Sequence, residues 1–267
     1  QNGVDMTVAR TIVFDVSGVI LYPVGSNIEI NSSEGNLTIA GETAPGDGIE
    51  VRGAGFDIGA SNVIIRHIAA RELTGATIGK DNFRVRSFSG SNLSNVILDH
   101  VSGSYATDEN IAVADADNVT IQRSLLSDNK GSGVILFQEP VNNISFVKNL
   151  IIWGGNRNPR SSTSDVGYEW VNNMVYGHTS EAINSFENRS DFRGNIWLNR
   201  TSGTSANKIS LTAGNSTSPS VSLTRIYVND NLYEGITPTL DPDFSSGTIE
   251  VSPIFSNGID ILSSSVL

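Results

Sequence analysis

Residues 62–70 read NVIIRHIAA, an asparagine followed by a short run of β-branched residues and a polar break. Such residues favour strands, and the apolar positions alternate with the period of a strand rather than that of a helix. Four further segments have the same form: NLTIAGETA from Asn36, NVILDHVSG from Asn95, NVTIQRSLL from Asn118 and NISFVKNLI from Asn143. The starts of the five segments are separated by 26, 33, 23 and 25 residues, so a strand-containing unit repeats along the chain.

Later asparagines keep this rhythm, because Asn149, Asn173 and Asn195 follow at intervals of 24 and 22 residues and Asn231 repeats the pattern once more. Leucine-rich repeats need a fixed leucine pattern, and propeller blades need about 40 residues or more. Coils of three short strands fit instead, stacked so that equivalent strands pair in parallel about 4.8 Å apart. The sequence therefore predicts an all-β, right-handed parallel β-helix. Its asparagines either form hydrogen-bonded ladders between coils or only mark turns.

The composition favours one domain over two. Its 267 residues are 38% hydrophobic, enough for a large core, and no low-complexity linker interrupts them. We expect a single β-helix domain over residues 1–267, in which residues 1–35 form the first coil or cap region and residues 240–267 form a carboxyl-terminal cap. Such a cap protects the open strand edges at the end of a solenoid. The Ser/Thr/Asn-rich stretch 200–222 is predicted to be a long loop.

The chain is acidic, with 28 acidic and 17 basic side chains and a formal net charge of −11. A field of this sign repels DNA, RNA and anionic membranes, so we expect no nucleic-acid partner and no membrane partner. The sequence contains no run of about 20 apolar residues that would predict a membrane-spanning helix. An acidic glycan would also be repelled unless a local basic groove or bridging cations receive it. With no cysteine, the chain has neither disulfides nor thiolate metal sites.

Charged residues recur one coil apart. Asp81 and Asp108 are separated by 27 residues, and so are Lys130 and Arg157. On a solenoid this spacing predicts that the four side chains lie along one edge and open on one groove. Glu109 adjoins Asp108, and neighbours on a strand face opposite sides. We therefore expect only one of these two acidic residues to reach the site.

Several motifs together resemble a known family. They are RTIVFDVSGVI, LTIAGETAPGDGI, NVIIRHI, NVILDHVSGSYATDEN, NVTIQRSLLSD and RNPR. Over roughly residues 10–200 the chain is similar to bacterial pectate lyases of the parallel β-helix type. The resemblance implies β-elimination on an acidic polysaccharide, polygalacturonate or a related polyuronate, with Ca²⁺ as the cofactor. It also implies a secreted or extracellular protein, which we expect to be a monomer.

The same resemblance implies a metal site and a substrate-binding residue. Asp81, at the start of DNFRV, and the adjacent Asp108 and Glu109 in SYATDEN are similar to the family's acidic calcium ligands. Lys130, in SDNKGSG, is similar to a lysine that reaches a substrate carboxylate in the family. These roles are expectations from the resemblance, separate from the spacing described above.

Arg157 opens RNPR and matches the first position of the family's Arg-x-Pro-x-x-Arg motif, whose first arginine is the proposed catalytic base. Ser162 stands where the motif has its second arginine, so Arg160 is the alternative substrate-binding residue. The resemblance implies that Arg157 takes the proton as the base. An arginine is ordinarily protonated, however, so the alternative is that Arg157 stabilises the developing negative charge. The Asp99–His100 pair, which the family also carries, is expected to be structural and to belong to the core.

The reaction explains why these residue types are suitable. β-Elimination removes the proton from C5 of a uronate, next to a carboxylate whose negative charge makes this carbon a poor acid. Cations must therefore neutralise the carboxylate, and a base must lie at the proton. Calcium takes several oxygen ligands, which carboxylates supply, and arginine and lysine bind the remaining acidic groups.

Three other functions stay open. A non-catalytic glycan-binding β-helix, like a tailspike or adhesin module, would keep the fold without the chemistry, and Ser162 favours this alternative. A polygalacturonase-type hydrolase shares the fold but uses paired carboxylates with Gly-His-Gly and Arg-Ile-Lys elements, and neither element is in the sequence. A structural or ice-binding solenoid would need regular threonine ladders, which the sequence lacks.

Overall fold

The computed structural model of the protein describes residues 3–72, 79–131, 133–155, 157–161, 166–178, 183–185, 188–199, 209–210, 225–233, 248–255 and 257–259. Within these ranges the chain forms β-strands and one short 3-10 helix, Gly41–Thr43, and no α-helix. The strands, in chain order, are β1 Arg10–Ile12, β2 Gly18–Ile30, β3 Leu37–Ala40, β4 Ile49–Ile58, β5 Val63–Arg66, β6 Ile68–Arg71, β7 Phe83–Arg86, β8 Leu93–Asp99, β9 Ser102–Ser104, β10 Ile111–Gln122, β11 Leu125–Ser127, β12 Ile135–Val147, β13 Leu150–Ile152, β14 Arg160–Ser161, β15 Val166–Val171, β16 Met174–His178, β17 Ile183–Ser185, β18 Asn188–Arg193, β19 Ile196–Asn199, β20 Ile209–Ser210, β21 Arg225–Asn229, β22 Leu232–Tyr233 and β23 Thr248–Ile249.

Parallel pairing joins these strands into three sheets that follow the solenoid axis. The first sheet contains β1, β3, β5, β8, the second parts of β10 and β12, β15, β18, β21 and β23. The second sheet contains the first parts of β2 and β4, then β6, β9, β11, β13, β16, β19 and β22. The third contains the second parts of β2 and β4, β7, the first parts of β10 and β12, β14, β17 and β20. The predicted parallel β-helix is confirmed.

The core consists of inward-facing residues that stack in register from coil to coil. In the first sheet one such column contains Ile65, Leu98, Ile121, Phe146 and Trp170, all fully buried. The rings of the last two are stacked with centroids 4.1 Å apart. Burying each of these side chains contributes about 1.5–3 kcal/mol to stability, so the repeated alternation read from the sequence also stabilises the solenoid.

Asparagines at the corner before the first sheet form an exposed ladder. The amide nitrogen of Asn62 donates to Asn36 Oδ1 (3.1 Å), and that of Asn95 donates to Asn62 Oδ1 (2.9 Å). The same bond joins Asn143 to Asn118 (2.7 Å). All five have φ between 53° and 62°, a left-handed conformation that asparagine tolerates better than most residues. The predicted ladder is confirmed at this corner, and these asparagines also mark the turn.

A second ladder is buried at the turn between the first and second sheets. Asn149 donates to Asn173 Oδ1 (3.1 Å), Asn173 to Asn195 Oδ1 (3.2 Å), and Asn195 to Asn231 Oδ1 (2.8 Å). The sequence placed these four residues in one series with the earlier asparagines. The structure separates them, because the two sets occupy different corners of the coil and differ in exposure.

The first and last described strands pair with their neighbours in the solenoid. β1 lies in register with β3, and β23 with β21. Near the carboxyl end, the backbone N–H groups of Ile254 and Phe255 donate to the carboxylate of Asp191 (2.9 and 3.0 Å). In the predicted loop 200–222, β20 pairs with β17, and the rest of that stretch lies outside the described ranges, as do residues 240–247 and 260–267 of the predicted cap. No helix in the part described is long and apolar enough to cross a membrane.

We predict that Asn173→Ala lowers the free energy of unfolding by about 3 kcal/mol. The amide of Asn173 accepts from the Asn149 backbone N–H (2.9 Å) and donates to the Phe146 carbonyl (2.9 Å), so its removal leaves several buried groups without partners. The control is Asn62→Gly, which removes an exposed ladder amide while glycine keeps the left-handed backbone; we expect a loss below about 1 kcal/mol. Urea unfolding followed by circular dichroism measures both, and equal losses would contradict a special role of the buried ladder.

Candidate active site

The charged residues singled out by their spacing all lie at one corner of the coil, the turn between the second and third sheets. Asp81 precedes β7, and Asp108 and Glu109 lie between β9 and β10. Lys130 lies between β11 and β12, and Arg157 between β13 and β14. The predicted placement on one edge of the solenoid is therefore confirmed.

The three carboxylates form a compact cluster. One carboxylate oxygen from each of Asp81, Asp108 and Glu109 lies within 4.8 Å of the other two. The backbone N–H of Glu109 donates to Asp81 Oδ1 (2.9 Å), and Glu109 is only 2% exposed. The expectation that only one residue of the acidic pair reaches the site is wrong. The pair lies in a turn before β10, where the alternation of a strand does not apply.

Buried asparagines hold this turn in place. Asn82 and Asn110 directly follow Asp81 and Glu109, and the amide of Asn110 donates to Asn82 Oδ1 (2.9 Å). The Asn82 amide donates in turn to the carbonyl of Ser104 (3.1 Å). Both asparagines are almost completely buried, so each acidic residue is anchored by its neighbour in sequence.

Two glycines allow neighbouring coils to approach the acidic turn closely. A side chain at Gly131 would meet the carbonyl oxygens of Thr107 and Asp108, and one at Gly55 would meet the carbonyl of Asp81. Only a glycine fits where backbone approaches backbone so closely. The coils on both sides of the acidic residues therefore support their backbone.

Arg157 belongs to the same constellation. Its guanidinium Nη1 forms an ion pair with Glu109 Oε1, although the two residues are 48 positions apart in sequence. The backbone of Arg157 is left-handed (φ 60°), and its carbonyl accepts from the N–H of Ile135 (3.0 Å). Its side chain is 19% exposed, so the guanidinium is partly shielded from water while it lines the cleft.

The site opens on a cleft of about 180 Å³ along the outer face of the third sheet. The acidic cluster and Arg157 form one wall. The floor consists of outward-facing residues in two columns, Arg84–Ala112–Leu136 and Arg86–Ala114–Gln138.

The two floor arginines were missed by the sequence reasoning. The signal was present in the segment FRVR, where Phe83 and Val85 face the core and the alternate positions Arg84 and Arg86 must face outward. They place two guanidinium groups in the cleft beside the cluster, where they can donate hydrogen bonds to an acidic ligand. Asp57 offsets the charge of Arg84, and Asp115 lies 3.8 Å from Arg86.

The remaining candidates lie nearby. The Lys130 ammonium lies over the ring of Tyr105, 4.9 Å from its centroid, and Lys130 is not among the residues that line the cleft. The expectation that all four charged side chains open on one groove is therefore wrong for Lys130, because its side chain is directed to this ring. Arg160 is in register with Leu136 of the cleft floor. Ser162 falls outside the described ranges.

The Asp99–His100 pair lies away from this cleft, at the turn between the first and second sheets. His100 Nδ1 is 2.8 Å from Asp99 Oδ1, and its ring stacks on that of His67 with centroids 4.6 Å apart. The expected core position is wrong, because the His100 side chain is 41% exposed.

Burial and mutual repulsion change the acidity of the cluster. Burial, a hydrogen bond with Asp108 and the charges of Asp108 and Asp81 raise the pKa of Glu109 to about 8, against the opposing charge of Arg157. Burial and the charge of Asp108 raise the pKa of Asp81 to about 6, against a backbone hydrogen bond from Glu109. Three carboxylates this close together repel one another when charged, which favours their protonated forms. Carboxylate oxygens are also the hard ligands that calcium prefers. The residues therefore fit a calcium ion.

The fold and the cleft define a class of protein: a parallel β-helix with an acidic cluster and an arginine on one outer groove. The chain is 31% identical over 265 residues to a probable pectate lyase C of Aspergillus fumigatus, covering 96% of this chain and 57% of the relative. It is 29% identical over 266 residues to a probable pectate lyase C of Emericella nidulans, covering 95% of this chain and 57% of the relative. The chain thus spans a little over half the length of these curated relatives. No protein-family model matches it.

A solved structure supports the same comparison. A pectate lyase from Bacillus sp. N165, in complex with trigalacturonate, superposes with a TM-score of 0.70 at 16% identity, covering 99% of this chain and 85% of that one. At this identity the likeness concerns the fold. The resemblance to the pectate lyase family drawn from the motifs is confirmed by the sequence relatives.

We predict that calcium binding to the acidic cluster strengthens as pH rises from about 6 to about 9. With the pKa of Asp81 near 6 and that of Glu109 near 8, both carboxyls must lose protons to bind a cation, and protons compete at lower pH. Calorimetry at neutral pH in two buffers of different ionisation enthalpy should show proton release on binding. Glu109→Gln should reduce that release. A pH-independent affinity would mean that calcium binds elsewhere.

Proposed function

We propose that this protein is a polysaccharide lyase that cleaves polygalacturonate, or a related polyuronate, by calcium-assisted β-elimination. The observation that carries the proposal is the cluster of three carboxylates in contact with Arg157 on one cleft. A cation site beside a guanidinium is what the removal of a proton next to a carboxylate requires. The similarity to pectate lyases supports the same activity, and the trigalacturonate bound to the Bacillus protein supports an acidic glycan as substrate.

In this proposal each group of the chain has a separate task. Asp81, Asp108 and Glu109 hold the calcium ion. When bound, the ion neutralises a uronate carboxylate and so makes the C5 proton more acidic. Arg157 either removes this proton itself or stabilises the charge that develops on the uronate while hydroxide from the solvent takes the proton. The C4–oxygen bond then breaks, a C4–C5 double bond forms, and the leaving oxygen takes up a proton from the protonated base or from water. Lys130 and Arg160 are proposed to bind further carboxylates.

The proposed setting follows from the substrate. Polygalacturonate is a polymer outside the cell, so a secreted or extracellular enzyme fits it. We further propose that the chain acts as a monomeric single domain, because the groove along one edge is formed by residues of one solenoid.

Incubation with polygalacturonate and calcium tests the proposal directly. A lyase produces an unsaturated uronate that absorbs in the ultraviolet. New reducing ends without this absorbance would indicate a hydrolase. Binding without either product would indicate a glycan-binding module, the main alternative.

Arg157→Lys is predicted to lower kcat at least about 100-fold while substrate binding stays within several-fold. An interaction formed mainly in the transition state appears in the rate constant, and a lysine lacks the planar donor pattern that the arginine presents. Initial rates and calorimetric binding of trigalacturonate measure the two effects. The matched control is Arg123→Lys, since Arg123 is 49% exposed and lies at the turn between the first and second sheets. Turnover within about tenfold of wild type would exclude a central role for Arg157.

Removal of calcium by a chelator is predicted to abolish activity and to leave the fold intact. The stacked apolar columns and the asparagine ladders stabilise the solenoid without a cation, so the β-type circular dichroism and the melting temperature should barely change. Added calcium should restore activity. Unfolding on chelation would instead identify the acidic cluster as a structural metal site.

A further inference from the structure

Arg84 and Arg86 form a basic end of the cleft. They face outward from β7, two residues apart, and line the cleft together with Asp81 and Glu109. In the next coil alanines lie in register with them, Ala112 beside Arg84 and Ala114 beside Arg86. Only methyl groups therefore rise from the floor next to the two guanidinium groups, which leaves room for a sugar ring.

The guanidinium of Arg84 is fixed by a buried carboxylate. Its Nε and Nη2 donate to Oδ1 (2.7 Å) and Oδ2 (2.6 Å) of Asp57, which is 5% exposed. Asn27 Nδ2 donates to the same carboxylate (2.6 Å) and holds it from the preceding coil. A two-point pair fixes the plane of a guanidinium, so its orientation exists before any ligand arrives.

One edge of this guanidinium stays available. The Arg84 side chain is 31% exposed, and its Nη1 makes no hydrogen bond within the ranges that the structure describes. The neighbouring Arg86 is 52% exposed and lies 3.8 Å from Asp115, a pair too exposed to hold it strongly. Two donors are therefore presented to the cleft, one rigid and one adaptable.

A structural ion pair alone does not explain this arrangement. Asp57 offsets the charge of Arg84 along one edge of the guanidinium, and the Nη1 edge is left to donate to a ligand in the cleft. An anion between this edge and a cation at the acidic cluster is attracted from both sides. The neighbourhood of Arg84 thus suits a carboxylate.

We propose that Arg84 is a specificity-determining residue that binds the carboxylate of one uronate, in the subsite on the β7 side of the acidic cluster. Nη1 donates to this carboxylate, and Arg86 adds a second positive charge. The inference rests on the proposed function and deepens it. At this subsite the enzyme selects a free carboxylate over a methyl ester, because the ester carries no charge.

The experiment compares Arg84→Gln and Arg84→Lys with the control Arg66→Gln. Arg66 also faces outward and pairs with an acidic residue, Glu42, but it lies on the first sheet. With polygalacturonate and calcium, Arg84→Gln is expected to raise KM about tenfold with kcat within about twofold, and Arg84→Lys to raise KM about threefold. With highly methyl-esterified pectin, all variants should stay within about twofold of wild type.

An unchanged KM for Arg84→Gln on polygalacturonate, or an equal rise on the esterified polymer, would overturn the proposal. Because Arg84→Gln leaves Asp57 without its cation, thermal unfolding is measured as well. If that variant does not fold, Arg84→Lys decides the question alone.

If the wild type forms no unsaturated product, the proposed lyase function fails and a separate readout remains. Calorimetric titration with trigalacturonate should then still show about tenfold weaker binding for Arg84→Gln than for Arg66→Gln. Equal binding by the two variants would overturn the carboxylate subsite itself.

Discussion

Parallel hydrogen bonding between equivalent strands is the constraint on which the rest of this structure depends. It sets neighbouring coils about 4.8 Å apart and places each residue directly above its counterpart. Residues that lie far apart in sequence then become neighbours along an edge, as Glu109 and Arg157 do across 48 positions. The cleft therefore needs no separate domain or long loop. It follows from charged residues at one corner of successive coils.

The corners solve a conformational problem that the strands create. Each coil must turn sharply between sheets, and left-handed residues make these turns, among them Asn62 at one corner and His100 at another. Asparagine adopts this conformation readily and can also satisfy backbone groups that the turn leaves without partners. In the candidate site, the amides of Asn82 and Asn110 likewise satisfy backbone groups, because they donate to the carbonyls of Ser104 and Gly103. Asparagine amides therefore stabilise turns both in the solenoid and in the candidate site.

The sequence was sufficient for the fold because its signal repeats: a weak strand pattern becomes strong when it recurs many times. It was also sufficient to bring Asp81 and Arg157 to one edge. It was insufficient where turn lengths vary. The spacing of 27 residues pointed to Asp108 as the partner of Asp81, yet the backbone N–H that donates to Asp81 belongs to Glu109, 28 residues away. Both acidic residues lie in the turn between β9 and β10, where the alternation of a strand does not decide which side chain points to the site. The direction of the Lys130 side chain depends on its contact with Tyr105, and the orientation of the Arg84 guanidinium depends on its pair with Asp57. Periodicity in the sequence does not encode such side-chain contacts.

The buried asparagine ladder has a direction. From Asn149 to Asn231, each amide group donates to the oxygen of the next, so the dipoles align head to tail and reinforce one another. A coil inserted by gene duplication would bring its own asparagine, accept from the coil before it and donate to the coil after it. Neither neighbour would need a compensating change. The row of amides is therefore a joint at which a solenoid can lengthen by whole coils during evolution while its interior stays hydrogen-bonded.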